Sequence, residues 1–273
     1  MFLATESCVL AWPNRATVGP PPAGLGGQEV AFASQSGSTI HAWLMPGKAG
    51  TGAVLLLHGV RDDRRSMVGR ARFLHDAGFT VLAPDFQAHG ESPGRYVTFG
   101  ALESFDARAA LEYLHEHARG ERVGVIGVSM GGAASLLGPQ PLAADALVLE
   151  SVYPTIGAAV GDRLRVWLGP LGFLSAAVGP ALLDIVGPEI GVDDDLMRPI
   201  DVIGRVAAHL LMIAGTLDRY TPLREARALF ARANAPKELW EVRGAGHQDL
   251  HAFARAEYEQ RVGSFLSAHL RTY

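Results

Sequence analysis

A strand that turns directly into a helix at Ser129 constrains this chain more than any other stretch of its sequence. Residues 123–128 are mostly apolar and β-branched, which is typical of a strand buried on both faces. Ser129 follows at once, and Gly127 and Gly131 flank it in the pattern G-x-S-x-G. Because glycines let the strand and the next helix approach closely, the pattern predicts a serine on a tight, strained turn above a sheet. That position suits a nucleophile.

The same stretch has two other interpretations. The chain contains 32 glycines among 273 residues, so a G-x-S-x-G match can arise by chance. The stretch is also one residue away from the dinucleotide-binding pattern G-x-G-x-x-G, with Glu150 near the place of a ribose-binding acid. Ser129 occupies the second glycine position of that pattern, where a side chain would separate the backbone from the pyrophosphate. This favours the nucleophile over the dinucleotide site.

The composition is that of a globular protein with one large domain or two small ones. It is 48% hydrophobic and 19% charged, and the formal net charge of −4 gives no reason to expect nucleic acid or an anionic membrane as a partner. The single cysteine, Cys8, excludes an intrachain disulfide. The first residues do not resemble a signal peptide, so we expect a cytoplasmic protein. A homo-oligomer is compatible with these numbers.

Strands and helices alternate along most of the chain. The predicted strands are residues 29–34, 39–45, 53–58, 79–83, 123–128, 146–150, 209–214 and 237–242. The predicted helices are residues 65–77 and 100–117, the segment after Ser129, and residues 223–233 and 252–270. This alternation predicts an α/β fold with a mostly parallel sheet and helices on both of its faces.

Two segments depart from the alternation. Residues 1–28 are rich in proline and glycine, and we interpret them as an N-terminal arm. Residues 151–205 lack a regular pattern, and residues 166–186 within them are apolar enough to suggest a membrane span. Two prolines, several glycines and an aspartate favour short helices instead, so we expect no stable membrane insertion. The acidic run 193–195 is interpreted as a solvated turn, because no other metal-ligand spacing accompanies it.

A serine, a carboxylate and a histidine follow strands of the predicted sheet. Ser129, Asp218 and His247 lie in post-strand loops, and such loops meet at the carboxyl edge of a parallel sheet. Serine needs a base to take its proton, histidine has a suitable pKa, and a carboxylate fixes the tautomer of the histidine. We predict these roles for the three residues. The alternatives are Glu150 as the acid and His251 as the base.

Two backbone amides are predicted to stabilise a tetrahedral oxyanion. Met130 begins the helix after the predicted nucleophile, and Val60 follows His58 in the loop after a strand. His58 and His89 each precede a glycine in such a loop. We interpret these two histidines as residues that shape their loops and not as catalytic groups.

Together, these motifs resemble the α/β-hydrolase superfamily. The similar elements are His58–Val60, Asp85–Ser92, Gly127–Gly131, Gly215–Asp218 and Gly244–His247. Residues 61–66 and 149–153 are similar to a bacterial branch of esterases and prolyl-oligopeptidase-like hydrolases. The resemblance covers residue 29 to the C-terminus and implies an eight-stranded sheet. It further implies that residues 29–150 and 206–273 form the core, and that residues 151–205 form a cap inserted after the sixth strand.

The resemblance also implies a function. It points to a serine hydrolase that cleaves small-molecule carboxylic esters through an acyl-enzyme on Ser129, without a cofactor or a metal. The apolar cap suggests short or medium acyl chains. A peptidase, an amidase or an acyltransferase on the same fold is the main alternative. A dinucleotide-binding or non-catalytic protein is a weaker one.

Overall fold

The computed structural model describes residues 10–272, which are built around an eight-stranded sheet. The strands are β1 (Gln28–Ala33), β2 (Thr39–Met45), β3 (Ala53–Leu57), β4 (Thr80–Pro84), β5 (Val123–Val128), β6 (Ala146–Glu150), β7 (His209–Gly215) and β8 (Lys237–Val242). Their order across the sheet is β8-β7-β6-β5-β3-β4-β2-β1. The β1–β2 and β2–β4 pairs are antiparallel and the others are parallel. The predicted α/β fold with a mostly parallel, eight-stranded sheet is confirmed.

Helices cover both faces of this sheet. They are α1 (Val68–Asp76), α2 (Glu103–His117), α3 (Met130–Leu136), α4 (Ile156–Leu168), α5 (Ser175–Ile190), α6 (Pro199–Val202), α7 (Leu223–Arg232), α8 (Leu250–Phe253) and α9 (Arg255–Leu270). Side chains alternate along β3, so Leu55 and Leu57 pack with α2 and α3, whereas Val54 and Leu56 pack with α1 and α9. Burial on both faces explains why the central strands are apolar throughout.

Two of the predicted helices are divided in the structure. The helix predicted from residue 65 begins as a 3₁₀ turn, Arg64–Met67, which Asp63 caps by accepting the N–H of Arg65. The last helix, predicted as 252–270, is interrupted at Ala254, where φ is −124° and ψ is 45°. Asp249 accepts backbone N–H groups at the start of the short helix before this break.

Residues 156–190 form two long helices, so the expectation of short helices there was wrong. Helices α4 and α5 have 13 and 16 residues. A 3₁₀ turn that contains Pro170 joins them, whereas Pro180 lies inside α5 without ending it. The helices pack against each other, since a Cβ on Gly179 would lie 3.8 Å from the Cα of Gly161. By length and composition alone, residues 156–190 could cross a membrane, but core helices of other proteins meet the same criteria. In this structure the stretch is folded as a hairpin.

Residues 10–27 are held to the rest of the chain by hydrogen bonds. The carboxylate of Glu91 accepts the backbone N–H groups of Val18 and Gly19, both at 3.1 Å. The short segment Asn14–Arg15 pairs with His89–Gly90 as a separate two-stranded sheet. Cys8 lies outside the described residues.

Candidate active site

Ser129 lies on a strained turn between β5 and α3. Its φ is 49° and its ψ is −110°, a conformation that costs a non-glycine residue on the order of 1–3 kcal/mol. The turn is so tight that a Cβ on Gly131 would lie 2.4 Å from the carbonyl oxygen of Leu57. A Cβ on Gly127 would lie 2.6 Å from a backbone atom of the same turn. The strained turn predicted from G-x-S-x-G is therefore present.

His247 and Asp218 are in direct contact although 29 positions separate them. The His247 Nδ1 atom lies 2.8 Å from the Asp218 Oδ2 atom. Asp218 lies in the loop after β7 and is buried, whereas the His247 side chain, in the loop after β8, is 21% exposed. Since an ionised carboxylate can only accept, Nδ1–H donates and Nε2 keeps its lone pair.

Thr221 is a third member of this group, and it was not predicted from the sequence. Its backbone N–H donates to Asp218 Oδ1 at 2.8 Å, and its hydroxyl donates to Asp218 Oδ2 at 2.7 Å. Burial alone would raise the pKa of Asp218, but the hydrogen bonds from His247 and Thr221 outweigh it and hold that pKa below its ordinary value. The carboxylate is therefore ionised at neutral pH. A Thr three residues after an Asp in a post-strand turn is the local signal for this arrangement.

Ser129 and His247 line the same cavity, together with Val60 and Met130. The cavity has a volume of about 80 Å³ and is partly open to solvent. The cavity is therefore narrow. Within residues 10–272, no hydrogen bond joins Ser129 Oγ to His247. The structure thus brings all the predicted site residues together around one cavity, with Asp218 behind His247.

The remaining walls of the cavity are mostly apolar and come largely from α4 and α5. Ile156, Leu164 and Val186 are among the lining side chains, and Tyr153 also lines the cavity. Arg163 is the exception, because it is the one residue with a permanently charged side chain among the described residues that line this space. Residues 151–205 show no regular pattern in the sequence, so these wall residues could not be predicted from it.

His58 and His89 have the structural role that was predicted for them. The Nδ1–H of His58 donates to the carbonyl of Gly59 at 2.7 Å, and its Nε2 accepts the N–H of Phe86 at 3.1 Å. Burial, with a smaller contribution from His89, lowers the pKa of His58 to about 3, so the ring is neutral. His89 bonds two backbone groups in the same way, at 2.9 and 3.2 Å. Both rings fix loops beside the cavity.

The alternative acid and base both have other partners. Glu150 is 1% exposed and accepts two hydrogen bonds from Arg70, at 3.0 and 2.7 Å, and another from the hydroxyl of Tyr258. Its carboxylate is therefore not available to a histidine base or to a ribose. His251 Nε2 lies 3.0 Å from a carboxylate oxygen of Glu259. Neither Glu150 nor His251 lines the cavity that contains Ser129.

The acidic run 193–195 forms a turn in which Asp193 accepts the backbone N–H of Asp195 at 2.9 Å. All three residues of the run are exposed. Asp194 also accepts the backbone N–H of Gly157. Across residues 10–272, no group of three or more His, Cys, Asp or Glu side chains could hold a metal ion.

Comparisons with known proteins agree with this architecture. Residues 54–261 match the model of the Alpha/beta hydrolase family. An uncharacterized protein of Mycobacterium tuberculosis is 32% identical over 229 residues, which cover 82% of this chain and 73% of the relative. A carboxylesterase of Bacillus subtilis is 33% identical over 90 residues, covering 33% of this chain and 36% of that enzyme.

Solved structures show the same fold. The Pyrococcus furiosus esterase Pf2001 has a TM-score of 0.75 and 23% identity, and the match covers 95% of this chain and 98% of that chain. An esterase from Exiguobacterium antarcticum has a TM-score of 0.61 and 13% identity, with 87% and 98% coverage. Because the family model spans most of the sheet and its loops, the chain belongs to the alpha/beta hydrolase family.

Proposed function

We propose that this protein is a serine esterase that hydrolyses small-molecule carboxylic esters through an acyl-enzyme on Ser129. The observation that carries the proposal is the 2.8 Å contact between His247 Nδ1 and Asp218 Oδ2 beside the strained Ser129 turn. Membership of a hydrolase family and the likeness to esterase structures support the same reaction class.

In the first step, His247 acts as the base. Its Nδ1–H is bound to Asp218, so Nε2 accepts the hydroxyl proton as Ser129 Oγ attacks the carbonyl carbon of the ester. Asp218 remains ionised and stabilises the imidazolium that forms. A carboxylate in this role contributes about 10⁴-fold to kcat in enzymes of this type.

Two backbone amides are assigned to the developing oxyanion. Met130 is the first residue of α3, so its N–H has no acceptor within the helix. Val60 lines the same cavity, and the hydrogen bond from His58 to the neighbouring Gly59 carbonyl fixes its loop. Each such donor typically contributes about 10²–10³-fold to kcat.

In the later steps of the reaction, His247 acts first as an acid and then again as a base. The imidazolium of His247 gives its proton to the leaving alcohol, and the acyl group remains on Ser129. His247 then takes a proton from the water that attacks the acyl carbonyl. As the bond between the acyl carbon and Ser129 Oγ breaks, His247 returns this proton to Oγ and the carboxylic acid is released. The narrow apolar space under α4 and α5 favours short or medium acyl chains.

The experiment that tests this proposal compares two serine variants. We expect Ser129→Ala to abolish hydrolysis of p-nitrophenyl acetate and butyrate. Ser264→Ala is the matched control, because Ser264 is exposed on α9 and lines neither the cavity that contains Ser129 nor the cleft beside it. Wild-type rates in Ser129→Ala would refute the assignment. Faster turnover of a peptide anilide than of any ester would favour the peptidase alternative.

A further inference from the structure

A charged residue interrupts the apolar side of α4 that faces the cavity. The α4 residues that line the cavity recur at intervals of one, three and four positions, which is one face of a helix. They are Ile156, Ala159, Val160, Arg163, Leu164 and Trp167. Five of them are apolar. A half-buried guanidinium in an apolar wall loses part of its hydration. This loss costs free energy unless another interaction compensates for it.

No carboxylate supplies that compensation within residues 10–272, where Arg163 has neither an ion pair nor a hydrogen bond. Its contact is with the ring of Tyr220, whose centroid lies 5.1 Å from the guanidinium carbon. Burial lowers the pKa of Arg163, and the nearby Tyr220, Tyr153 and Asp218 only oppose that shift. The oxygens of Asp218 are already occupied by His247 and Thr221. By contrast, the exposed Arg165 on the same helix is paired with Asp162.

Arg163 also lies at the junction of two spaces. A second cleft adjoins the apolar cavity, and Val60, Ser129, Arg163 and His247 line both. The scissile bond would lie at this junction, with the acyl half on one side and the leaving group on the other.

The charges differ between the two sides. Asp62, Asp249 and Arg70 line the second cleft. Arg70 is already paired with Asp249 and Glu150, whereas Asp62 would repel an anion. No acidic residue lines the apolar cavity among the described residues. An anionic group that reaches Arg163 is therefore better accommodated on the acyl side.

We propose, on the basis of the proposed esterase function, that Arg163 is a specificity-determining residue that binds a carboxylate on the acyl half of the substrate. The preferred substrates are then half-esters of dicarboxylic acids, in which a second carboxylate follows the ester carbonyl by a few carbons. The guanidinium offers a paired donor geometry that matches such a carboxylate.

The test uses two esters that differ only at the end of the acyl chain, mono-p-nitrophenyl glutarate and p-nitrophenyl valerate. The ratio of their kcat/KM values is measured in the wild type and in Arg163→Met, Arg163→Lys and Arg165→Met. We expect Arg163→Met to lower the glutarate-to-valerate ratio about 10–100-fold, the range for losing a hydrogen bond to a charged group. Arg163→Lys should retain part of the preference, and Arg165→Met should keep the wild-type ratio.

The outcomes separate this inference from the proposed function. Equal losses on both esters in Arg163→Met would mean that Arg163 only supports the fold, and the inference would be wrong. The inference would also be wrong if Arg165→Met lowered the glutarate-to-valerate ratio as much as Arg163→Met. If the wild type hydrolyses neither ester, the esterase proposal itself fails, and the substrate preference fails with it.

Discussion

The carboxyl edge of the sheet and the α4–α5 hairpin face each other across one cavity, yet they are built differently. At the sheet edge, Ser129, Asp218 and Glu150 are 8%, 5% and 1% exposed, and hydrogen bonds fix the two carboxylates. On the hairpin, Phe173 in the 3₁₀ turn and Ile185 on α5 are 73% and 76% exposed.

The contrast separates the part of the molecule that positions the reacting atoms from the part that forms the wall of the cavity. Chemistry at the sheet edge depends on atoms held within a few tenths of an ångström, which buried hydrogen bonds provide. The hairpin contributes mainly an apolar wall, and a wall tolerates small shifts. Substitutions at the edge should therefore affect catalysis or stability strongly, and those on the outer side of the hairpin weakly.

The largest effect is expected at Asp218. Asp218→Asn keeps the size of the side chain but no longer enforces the Nδ1–H tautomer of His247, so kcat for p-nitrophenyl butyrate should fall about 10⁴-fold. Asp193→Asn, in an exposed turn, is the control and should behave as the wild type. A decrease of less than tenfold in Asp218→Asn would show that the carboxylate does not orient the base.

The next largest effect is expected from the buried ion pair behind the sheet edge. Arg70→Met leaves the Glu150 carboxylate without its partner, which typically lowers the free energy of unfolding by about 3–5 kcal/mol. Arg227→Met breaks an exposed pair with Glu241 and should change stability far less. Urea denaturation measures both. A similar loss in the free energy of unfolding for the two variants would contradict the expected difference between the buried ion pair and the exposed one.

A pH-dependent effect is expected where α4 meets α7. Glu225 lies beside the buried Asp162, and Arg224 bonds both carboxylates. Burial, with the hydrogen bond and charge of Asp162, raises the pKa of Glu225 from 4.5 to about 8. The folded chain therefore holds a proton that the unfolded chain releases, so this stabilisation is complete below pH 4.5 and is lost as the pH rises towards 8.

Thermal melts of the wild type and Glu225→Gln between pH 5 and about 9 measure this link. The Gln variant stays neutral, so the Tm of the wild type should fall relative to it as the pH rises. Arg227→Met, on the exposed side of the same helix, should keep the wild-type dependence. Parallel curves for the wild type and Glu225→Gln would contradict a raised pKa of Glu225 in the folded chain.

The smallest effect is expected on the outer side of the hairpin. Phe173→Ser removes an exposed side chain and should change the free energy of unfolding by no more than about 0.5 kcal/mol. Leu55→Ala in the fully buried β3 should cost about 2–5 kcal/mol. A comparable loss in Phe173→Ser would show that the outer face of the hairpin is packed.

The sheet and the residues at its edge were predictable because their signals are local. A run of apolar residues predicted β5, and the glycines around Ser129 predicted the turn. Asp218 and His247 were identified because each follows a strand in a loop rich in turn-forming residues. Their contact followed from sheet topology, since the carboxyl ends of parallel strands share one edge.

The rest depends on contacts between distant positions. Arg70 and Glu150 are 80 residues apart, and no local pattern marks them as partners. Helix α5 continues through Pro180 because packing against α4 outweighs a local helix-breaking preference. Arg163 lies on α4, and the local sequence does not show which face of that helix meets the cavity.

The most direct test of the account is the site of covalent labelling by a fluorophosphonate, mapped by mass spectrometry of proteolytic peptides. We predict a single label on Ser129, which is lost in Ser129→Ala and strongly slowed in His247→Ala. A label on any other residue, or one that persists in Ser129→Ala, would contradict the assignment of Ser129 as the nucleophile.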